Sequence, residues 1–446
     1  MRARQGARRG CAAVLGAVAI AAPLLAACGS DSGGAALHFY TPADGATQYA
    51  QAAQDCTKAA GGRYRVEQVT LPRQADDQRL QLARRIVGGD PTIDILGMDV
   101  TWTAEFAEAG WIRPFPPDAA AEIRNGTLKA AYQTGTWKNQ LFAAPLNTNT
   151  QLLWYRSDLV PGGKPPKTWD ELIAIAGRLA AQHRPSWIEA QGSQYEGLTV
   201  WFNSLLASAG GQIVADDGTV PLGAGRSGAA AAKALQIIHA VATAPGADPS
   251  LSQRDEGTNR LAMESGKAAF MVNYPFVLAG IKENGGGSFL DGNGNPTTQN
   301  TGRKVQDVFR WAPYPAVDPG TPGRSTIGGI NLAVSSTSRH PQQAVEAVEC
   351  LRNRANQLRN AIDGGVPPTL ESLYTDPAFQ REYPAWQAIK QSLDTASVRP
   401  KSPAYQSISI VLSALLNPPG EIKPAATRAE LVDQVQRAVN SEGLVP

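Results

Sequence analysis

Three carboxylates, Asp99, Glu196 and Glu256, are the groups of this chain that best suit chemistry on a sugar. A glycosidase needs only two carboxyl groups at the right separation, one as acid and one as nucleophile or base. The same groups can accept hydrogen bonds from sugar hydroxyls without cleaving any bond. Because a sequence does not measure distances in space, both possibilities remain open at this point.

Other catalytic chemistries lack their usual motifs. The chain has four histidines, and no two of them have the spacing of metal ligands. It contains no His-Glu-x-x-His, no Gly-x-Ser-x-Gly, no Gly-x-x-x-x-Gly-Lys and no Cys-x-x-Cys. We therefore expect no metal and no cofactor. We also expect a protein that is not an enzyme, with the two-carboxylate glycosidase as the alternative that stays open.

Aromatic side chains are numerous enough to line a cleft, with nine tryptophans and eleven tyrosines. Trp102 follows Asp99 by three residues at a predicted strand-to-helix turn, where α/β folds place their ligand groups. Most other tryptophans are expected to fill cores at the ends of helices and strands.

Strands alternate with helices in the part of the chain that must position these residues. Short β-rich runs at 37–40, 64–70 and 93–96 are separated by helical patterns at 74–87 and from about Thr101. In the first helix, Leu80, Ala83 and Val87 are predicted to face the core. The alternation predicts an α/β fold with a parallel sheet.

The first 27 residues have the order of a secretory signal. Four arginines precede an apolar run from Cys11 to Leu25, which is short for a membrane span, and Leu25-Ala26-Ala27-Cys28 closes it. This ending resembles a bacterial lipobox, which implies a lipid on Cys28. Residues 28–36 would then form a flexible tether at the extracytoplasmic face of the membrane. A plain secreted signal is the alternative.

Charge and length constrain the partners and the number of lobes. The chain has 41 basic and 39 acidic residues. Removing the leader with its four arginines leaves 37 basic and 39 acidic residues, a formal charge of −2. That balance gives no basic surface for nucleic acid. The remaining length exceeds what one hydrophobic core usually serves, so two lobes are expected.

Two cysteines remain once the leader and the lipidation site are set aside. Cys56 and Cys350 would most economically form one disulfide in an oxidising compartment. Two separate buried thiols are the alternative.

Five segments spread over the mature chain resemble the extracellular solute-binding proteins of sugar ABC importers. They are residues 39–42, 99–107, 144–150, 272–276 and 326–331. Leu152-Leu153-Trp154-Tyr155-Arg156, and Val398-Arg399-Pro400 with Tyr405, are most similar to the trehalose-binding lipoproteins of mycobacteria. Each motif is weak alone, but their order across four hundred residues is specific.

The resemblance implies a two-lobed periplasmic-binding-protein-like fold with a hinge and an interlobe cleft. Lobe I would comprise about 37–146 with 275–330, and lobe II about 147–274 with 331–446. The chain would cross between lobes near 144–151, 272–276 and 328–334. A ligand would favour the closed form only through contacts with both lobes.

The resemblance also implies roles for individual residues. Asp99 and Glu256 would accept sugar hydroxyls, Asn149 would donate and accept at the hinge, and Arg399 would offer a fork of donors. Tyr274 would stack on the sugar. The remaining candidates are Gly328 and Gly329, whose amides could approach the ligand, together with Glu196 and Trp102. Structural alternatives are a helix cap at Asp99, a surface ion pair at Arg399 and a simple turn at the two glycines.

The function implied is capture of a disaccharide, with trehalose first, and its delivery to ABC permease subunits driven by a cytoplasmic ATPase. Tyr274 departs from the trehalose-binding relatives, which carry tryptophan there, so a related α-glucoside is also open. The alternatives are a cell-envelope glycosidase that uses two of the carboxylates and a surface lipoprotein that binds no small ligand.

Overall fold

The computed structural model describes residues 34–441 apart from 44, 73–74, 216, 284–287, 292, 294 and 298–303. The leader and Cys28 lie outside the described residues. The described strands are β1 Ala35–Thr41, β2 Tyr64–Thr70, β3 Ile95–Asp99, β4 Ile112–Arg113, β5 Thr136–Trp137, β6 Gln140–Leu141, β7 Ala143–Asn149, β8 Leu152–Arg156, β9 Trp187–Glu189, β10 Ala268–Asn273, β11 Phe289–Leu290, β12 Pro296–Thr297, β13 Phe309–Ala312 and β14 Gly328–Ser335.

The helices alternate with these strands. They are α1 Ala46–Ala59, α2 Ala75–Val87, α3 Thr103–Glu108, α4 Pro117–Arg124, α5 Lys129–Thr134, α6 Trp169–Ala181, α7 Glu196–Ser208, α8 Gly225–Thr243, α9 Glu256–Glu264, α10 Val277–Glu283, α11 Val305–Val308, α12 Pro341–Leu351, α13 Arg354–Gly364, α14 Pro377–Glu382, α15 Trp386–Thr395, α16 Tyr405–Leu416 and α17 Pro424–Val439. None of the helices described has the length and apolar character to cross a membrane.

The first lobe is built on a sheet in the order β2-β1-β3-β14-β4. A sixth strand, β7, also pairs with β14 but lies outside this linear order. β1 runs parallel to β2 and β3, as predicted, but β14 is antiparallel to β3 and β7. The sheet is therefore mixed, because β14 enters it from the opposite direction after a long excursion through the other lobe. β1 begins at Ala35, which pairs with Tyr64, so the predicted tether cannot extend to Ala36.

The second lobe is built on a four-stranded sheet in the order β13-β8-β10-β9. Trp154 at its centre faces Met271 on one neighbouring strand and Trp311 on the other. Trp154 is fully buried, and its indole donates a hydrogen bond to the Asn273 carbonyl at 2.9 Å. Helices α6, α7, α8, α16 and α17 pack on the other face of this sheet. Their apolar side chains form one hydrophobic cluster with residues of β8 and β10.

The division of the chain between the lobes differs from the predicted boundaries. Residues 309–312 belong to the second sheet, although 275–330 was assigned to lobe I. β14 and the helices α12 and α13 belong to the first lobe, although 331–446 was assigned to lobe II. The reason is that sheet pairing, which joins residues distant in sequence, decides lobe membership.

The crossings between the lobes are likewise shifted. Residues 150–151 join β7 to β8, in agreement with the first prediction. The prediction for 272–276 is wrong, because α10, which follows these residues, packs against α9 and α11 of the second lobe. The chain crosses back at 313–327, between β13 and β14, and a third time after α13, where Pro367 and Pro368 accept from Thr148.

One helix turns a different face to the core from the one predicted. Leu80 is 39% exposed and Val87 is 69% exposed, whereas Leu82 and Ile86 of the same helix are buried. The predicted stripe on α2 was therefore wrong for Leu80 and Val87, whereas Ala83 is buried as predicted. A helix period allows several apolar stripes when apolar residues lie on more than one face, and only tertiary packing selects one.

A disulfide between Cys56 and Cys350 joins α1 to α12, so the predicted pairing is confirmed. Both helices pack against the first sheet in one hydrophobic cluster. The bond therefore lies wholly within the first lobe.

Candidate functional site

The predicted ligand residues come from both lobes and meet between them. Asp99 ends β3 of the first lobe, while Glu196 and Glu256 are the first residues of α7 and α9 in the second. Tyr274 follows β10, and Arg399 lies in the extended segment before α16. A strand end, two helix N-termini and two connecting segments thus deliver the polar groups.

Arg399 is the centre of this arrangement. Its buried guanidinium donates to Glu196 at 2.5 Å and approaches Asp99 Oδ1 at 3.4 Å. A third, longer contact of 3.5 Å reaches the Ile327 carbonyl. Burial lowers the pKa of Arg399, but Asp99, Tyr405 and Glu196 outweigh burial and raise it well above the usual value. The cation therefore joins a carboxylate of each lobe, unlike the surface pair considered from the sequence.

Glu196 is surrounded by donors of its own lobe. Its Oε1 accepts from Arg399 and from the Tyr405 hydroxyl, and its Oε2 accepts from Ser409. Burial raises the pKa of Glu196, while the Arg399 charge and the two hydroxyl donors oppose that rise. The carboxylate is thus held by three side chains.

Tyr274 lies among the charges of both lobes. Burial and the Glu256 carboxylate raise the pKa of Tyr274, and Arg399, Glu196 and Asp99 also act on it. Burial and Glu256 likewise raise the pKa of Tyr195, which precedes Glu196. The half-buried Tyr274 side chain and the neutral Tyr195 hydroxyl therefore share the environment of Glu256.

Asn149 and the two glycines form the floor of the site beside Arg399. Asn149 pairs with Gly328 across β7 and β14. A Cβ built on Gly328 would lie 3.5 Å from the Asn149 Cβ and 3.9 Å from Arg399 Nη2. Gly329 has φ +135°, and a Cβ there would come within 2.2 Å of the Asn147 carbonyl oxygen. Gly329 is thus required by the close approach of β7, in addition to any role toward a ligand.

Asp99 has a local structural role as well. Its Oδ1 accepts from the Thr101 amide at 2.9 Å and the Thr101 hydroxyl at 2.8 Å. These bonds stabilise the turn before α3 and do not cap the helix, whose N-cap is Trp102, so the helix cap considered from the sequence is not formed. The same oxygen faces Arg399. A small pocket next in sequence to Asp99 is lined by Val100 and Thr101 on one side and by Arg399 and Pro400 on the other, with Ile327 between them in sequence.

Trp102 is placed differently from the other candidates. It is 4% exposed, and its ring stacks on Phe106 at 6.1 Å in a first-lobe hydrophobic cluster. A buried ring of this kind contributes to packing.

Three further site residues were absent from the predicted set. Tyr195, Tyr405 and Ser409 lie around Glu196 and Glu256, and their contacts join α7 to α16. Tyr405 supported the family resemblance without a role, and Tyr195 directly precedes a candidate carboxylate. No signal in the sequence marked Ser409, because its contact with Glu196 depends on how two helices pack.

The arrangement offers carboxylate acceptors, a fork of cationic donors, neutral hydroxyls and an aromatic face in one cleft. This set matches the hydroxyls and C–H faces of a sugar. Within the described residues, no group of three or more His, Cys, Asp or Glu side chains could hold a metal ion.

Known protein sequences resemble most of this chain. The profile of bacterial extracellular solute-binding proteins matches residues 43–358, more than half of the chain. A probable ABC transporter-binding protein of Deinococcus radiodurans is 29% identical over 353 residues, covering 75% of this chain and 76% of that protein. A probable amino-acid ABC transporter periplasmic-binding protein of Sinorhizobium fredii is 23% identical over 414 residues, covering 88% and 86%.

Solved structures share the architecture. Maltose-bound MalE3 of T. maritima superposes with a TM-score of 0.75 at 21% identity, covering 90% of this chain and 99% of that chain. The GacH receptor of Streptomyces glaucescens, known unliganded and with acarbose, gives 0.75 at 20% identity, covering 92% and 100%. At these identities the likeness establishes the two-lobed fold.

Proposed function

Because the chain belongs to the family of bacterial extracellular solute-binding proteins, we propose that it captures a disaccharide outside the cell and delivers it to an ABC importer. The observation that carries the proposal is the cleft in which Asp99 of one lobe and Glu196 of the other meet at Arg399, beside Tyr274. A ligand bound there would contact both lobes, and such contacts favour a closed form.

Trehalose is the first candidate, with other α-glucosides next. The support is the resemblance to the mycobacterial trehalose-binding lipoproteins at residues 152–156 and 398–400, together with acceptors and donors suited to sugar hydroxyls. MalE3, which shares the fold, is described with maltose, so maltose belongs in the same panel. The partners would be two permease subunits and a cytoplasmic ATPase.

A panel of trehalose, maltose and other α-glucosides tests the proposal on protein that lacks the leader. A ligand at a hundred times its Kd stabilises the folded state by about 2.7 kcal/mol, and Tm rises accordingly. Calorimetric titration should give one site per chain. Absence of both a Tm shift and binding heat for every sugar would overturn sugar binding, and release of glucose from trehalose would indicate the glycosidase instead.

We also propose that Cys28 carries the lipid that keeps the protein at the extracytoplasmic face of the membrane. The support is the basic leader and the Leu25-Ala26-Ala27-Cys28 ending. Cys28→Ala should move the protein from the membrane fraction to the medium, with unchanged sugar affinity. Equal membrane association of the variant and the parent would contradict lipidation.

A further inference from the structure

Both carboxylate oxygens of Glu196 are engaged by side chains of its own lobe. Oε1 accepts from Arg399 at 2.5 Å and from Tyr405, and Oε2 accepts from Ser409. Tyr405 is 3% exposed and Ser409 is 2% exposed, so both donors are held by packing within α16. Both oxygens are therefore directed at protein groups.

The same contacts place the Arg399 guanidinium. Nη1 is anchored on Glu196, which leaves Nη2 facing Asp99 of the other lobe at 3.4 Å. The ring of Tyr405 lies 5.8 Å from the guanidinium carbon and adds a face for it to pack on. Without Glu196, this buried cation would keep only the longer contacts to Asp99 and the Ile327 carbonyl.

We propose that Glu196 is a positioning residue, which acts on the ligand through Arg399 rather than by accepting a sugar hydroxyl itself. The inference rests on the proposed sugar-binding function and assigns a different role to Glu196 from the one expected from the sequence. Glu196, Tyr405 and Ser409 hold the guanidinium, and the guanidinium meets the ligand and Asp99 at the junction of the lobes.

The two roles predict different patterns of affinity. A residue that contacts one hydroxyl discriminates between sugars that place this hydroxyl differently, because an unpaired polar group is costly in only one complex. A residue that positions a shared donor weakens every ligand by a similar factor. In the second case the effect also depends on Arg399, since there is nothing left to position once the guanidinium is removed.

The test is calorimetric titration with trehalose and maltose of the parent, Glu196→Gln, Arg399→Gln and the double variant. We expect Glu196→Gln to weaken binding of each sugar about tenfold, which is about 1.4 kcal/mol, with the ratio of the two affinities kept within about twofold. In the Arg399→Gln background, Glu196→Gln should change Kd less than about twofold. A further tenfold loss in that background, or a loss confined to one sugar, would overturn the inference.

A matched pair of serines on α16 provides a variant that leaves every charge in place. Ser409 donates to Glu196, whereas Ser413, one turn later and also buried, donates to the Ile410 carbonyl. Ser409→Ala should weaken both sugars by a common factor of about three to ten, and Ser413→Ala should leave Kd unchanged. Equal affinities of the two variants would contradict the positioning role.

The outcomes also separate this inference from the proposed function. A parent protein that binds no sugar refutes the proposed function and the inference with it. A parent that binds, combined with independent effects of Glu196 and Arg399, refutes the inference alone.

Discussion

Tyr274 is the residue whose surroundings decide what a sugar ring would meet in the cleft. Burial and the charge of Glu256 raise the pKa of its hydroxyl, and the charges of Arg399, Glu196 and Asp99 also act on it, so the half-buried side chain lies within electrostatic range of the polar groups of the cleft. An aromatic face placed in this way can stack on the C–H face of a sugar while the charged groups bind its hydroxyls. The tyrosine hydroxyl can both donate and accept a hydrogen bond, whereas the indole of tryptophan only donates.

The contribution of the Tyr274 ring can be separated from that of its hydroxyl. Tyr274→Ala should weaken trehalose binding about tenfold or more, because it removes the stacking surface. Tyr274→Phe, the matched control, keeps the ring and should change Kd less than about threefold. If Tyr274→Phe loses as much affinity as Tyr274→Ala, the hydroxyl and not the ring makes the contact.

Glu189 is a second residue whose environment has a measurable consequence. It is fully buried at the end of β9, beside Asp248 and 3.4 Å from Arg254. Burial and the Asp248 carboxylate raise the pKa of Glu189 to about 8, while Arg254 and Lys267 oppose the rise. Between its ordinary value of 4.5 and about 8, the folded protein keeps a proton that the unfolded chain releases.

The stability of the protein should therefore fall as pH rises through this interval. The contribution of Glu189 is fully present below about pH 4.5 and is lost by about pH 8. Glu189→Gln, which cannot ionise, should flatten this part of the profile of Tm against pH. Glu430→Gln on the exposed face of α17 is the control and should leave the profile unchanged. Identical slopes for Glu189→Gln and the parent would contradict the assignment.

Helix α7 joins the site to the crossings between the lobes. Its first residue is Glu196, and further along the helix Asn203 donates to the Thr326 hydroxyl at 2.9 Å. The Ser204 hydroxyl accepts from the Thr326 amide at 3.0 Å, and Thr326 pairs with Ser397. Because almost every residue of α7 is buried, polar side chains on it must find partners within the protein. Asn203 and Ser204 find such a partner in Thr326, which lies in the segment 313–327 that crosses between the lobes.

The anchoring of α7 to this crossing segment can be tested by substituting two buried asparagines, Asn203 and Asn259. Asn203→Leu should destabilise the protein by about 1–3 kcal/mol, because it removes two buried hydrogen bonds, to the Thr326 and Ser397 hydroxyls, each worth about 0.5–1.5 kcal/mol. Asn259 on α9 is also buried, and its amide atoms have no hydrogen-bond partner in the part of the chain that the structure describes. Asn259→Leu should therefore cost less. Urea unfolding measures both, and equal losses would refute the distinction.

The two lobes are bridged by side-chain contacts in addition to the chain crossings. Arg399 reaches Asp99 at 3.4 Å, and Gln406 of α16 donates to Asp76 of α2 at 2.8 Å. The hydrophobic cluster around Trp154 also includes Leu128, which directly precedes α5 of the first lobe. The disulfide, by contrast, links two helices of one lobe. Stability and closure thus depend on different parts of the molecule.

Removal of the disulfide should reveal this separation. The Cys56→Ser and Cys350→Ser double variant loses a constraint between residues 294 positions apart, worth at most about 5–6 kcal/mol in the chain-entropy model. We expect a lower Tm and a sugar Kd within about twofold of the parent. A reductant should lower the Tm of the parent only. A large loss of affinity at a temperature where the variant is folded would contradict the separation.

The two-lobed fold was accessible from the sequence, whereas its division along the chain was not. Apolar runs, turn residues and five spaced motifs indicated the strands near 37–40 and 64–70 and the family architecture. Lobe boundaries failed at 309–312 and 331–335, because a strand joins whichever sheet its backbone pairs with, and that partner lies far away in sequence. The exposed Leu80 and Val87 show the same dependence on tertiary contacts.

Residue types by themselves determined that the cleft could offer carboxylates, a guanidinium and an aromatic ring, and that two cysteines outside the leader could pair. Only the tertiary structure decided which of these groups meet. Arg399 lies between Asp99 and Glu196, Tyr405 and Ser409 complete the surroundings of Glu196, and Trp102 is buried in a core. Hydrogen bonds and ion pairs act over a few ångströms, so they depend on how α7, α16 and β3 pack together. No local pattern in the sequence encodes that packing.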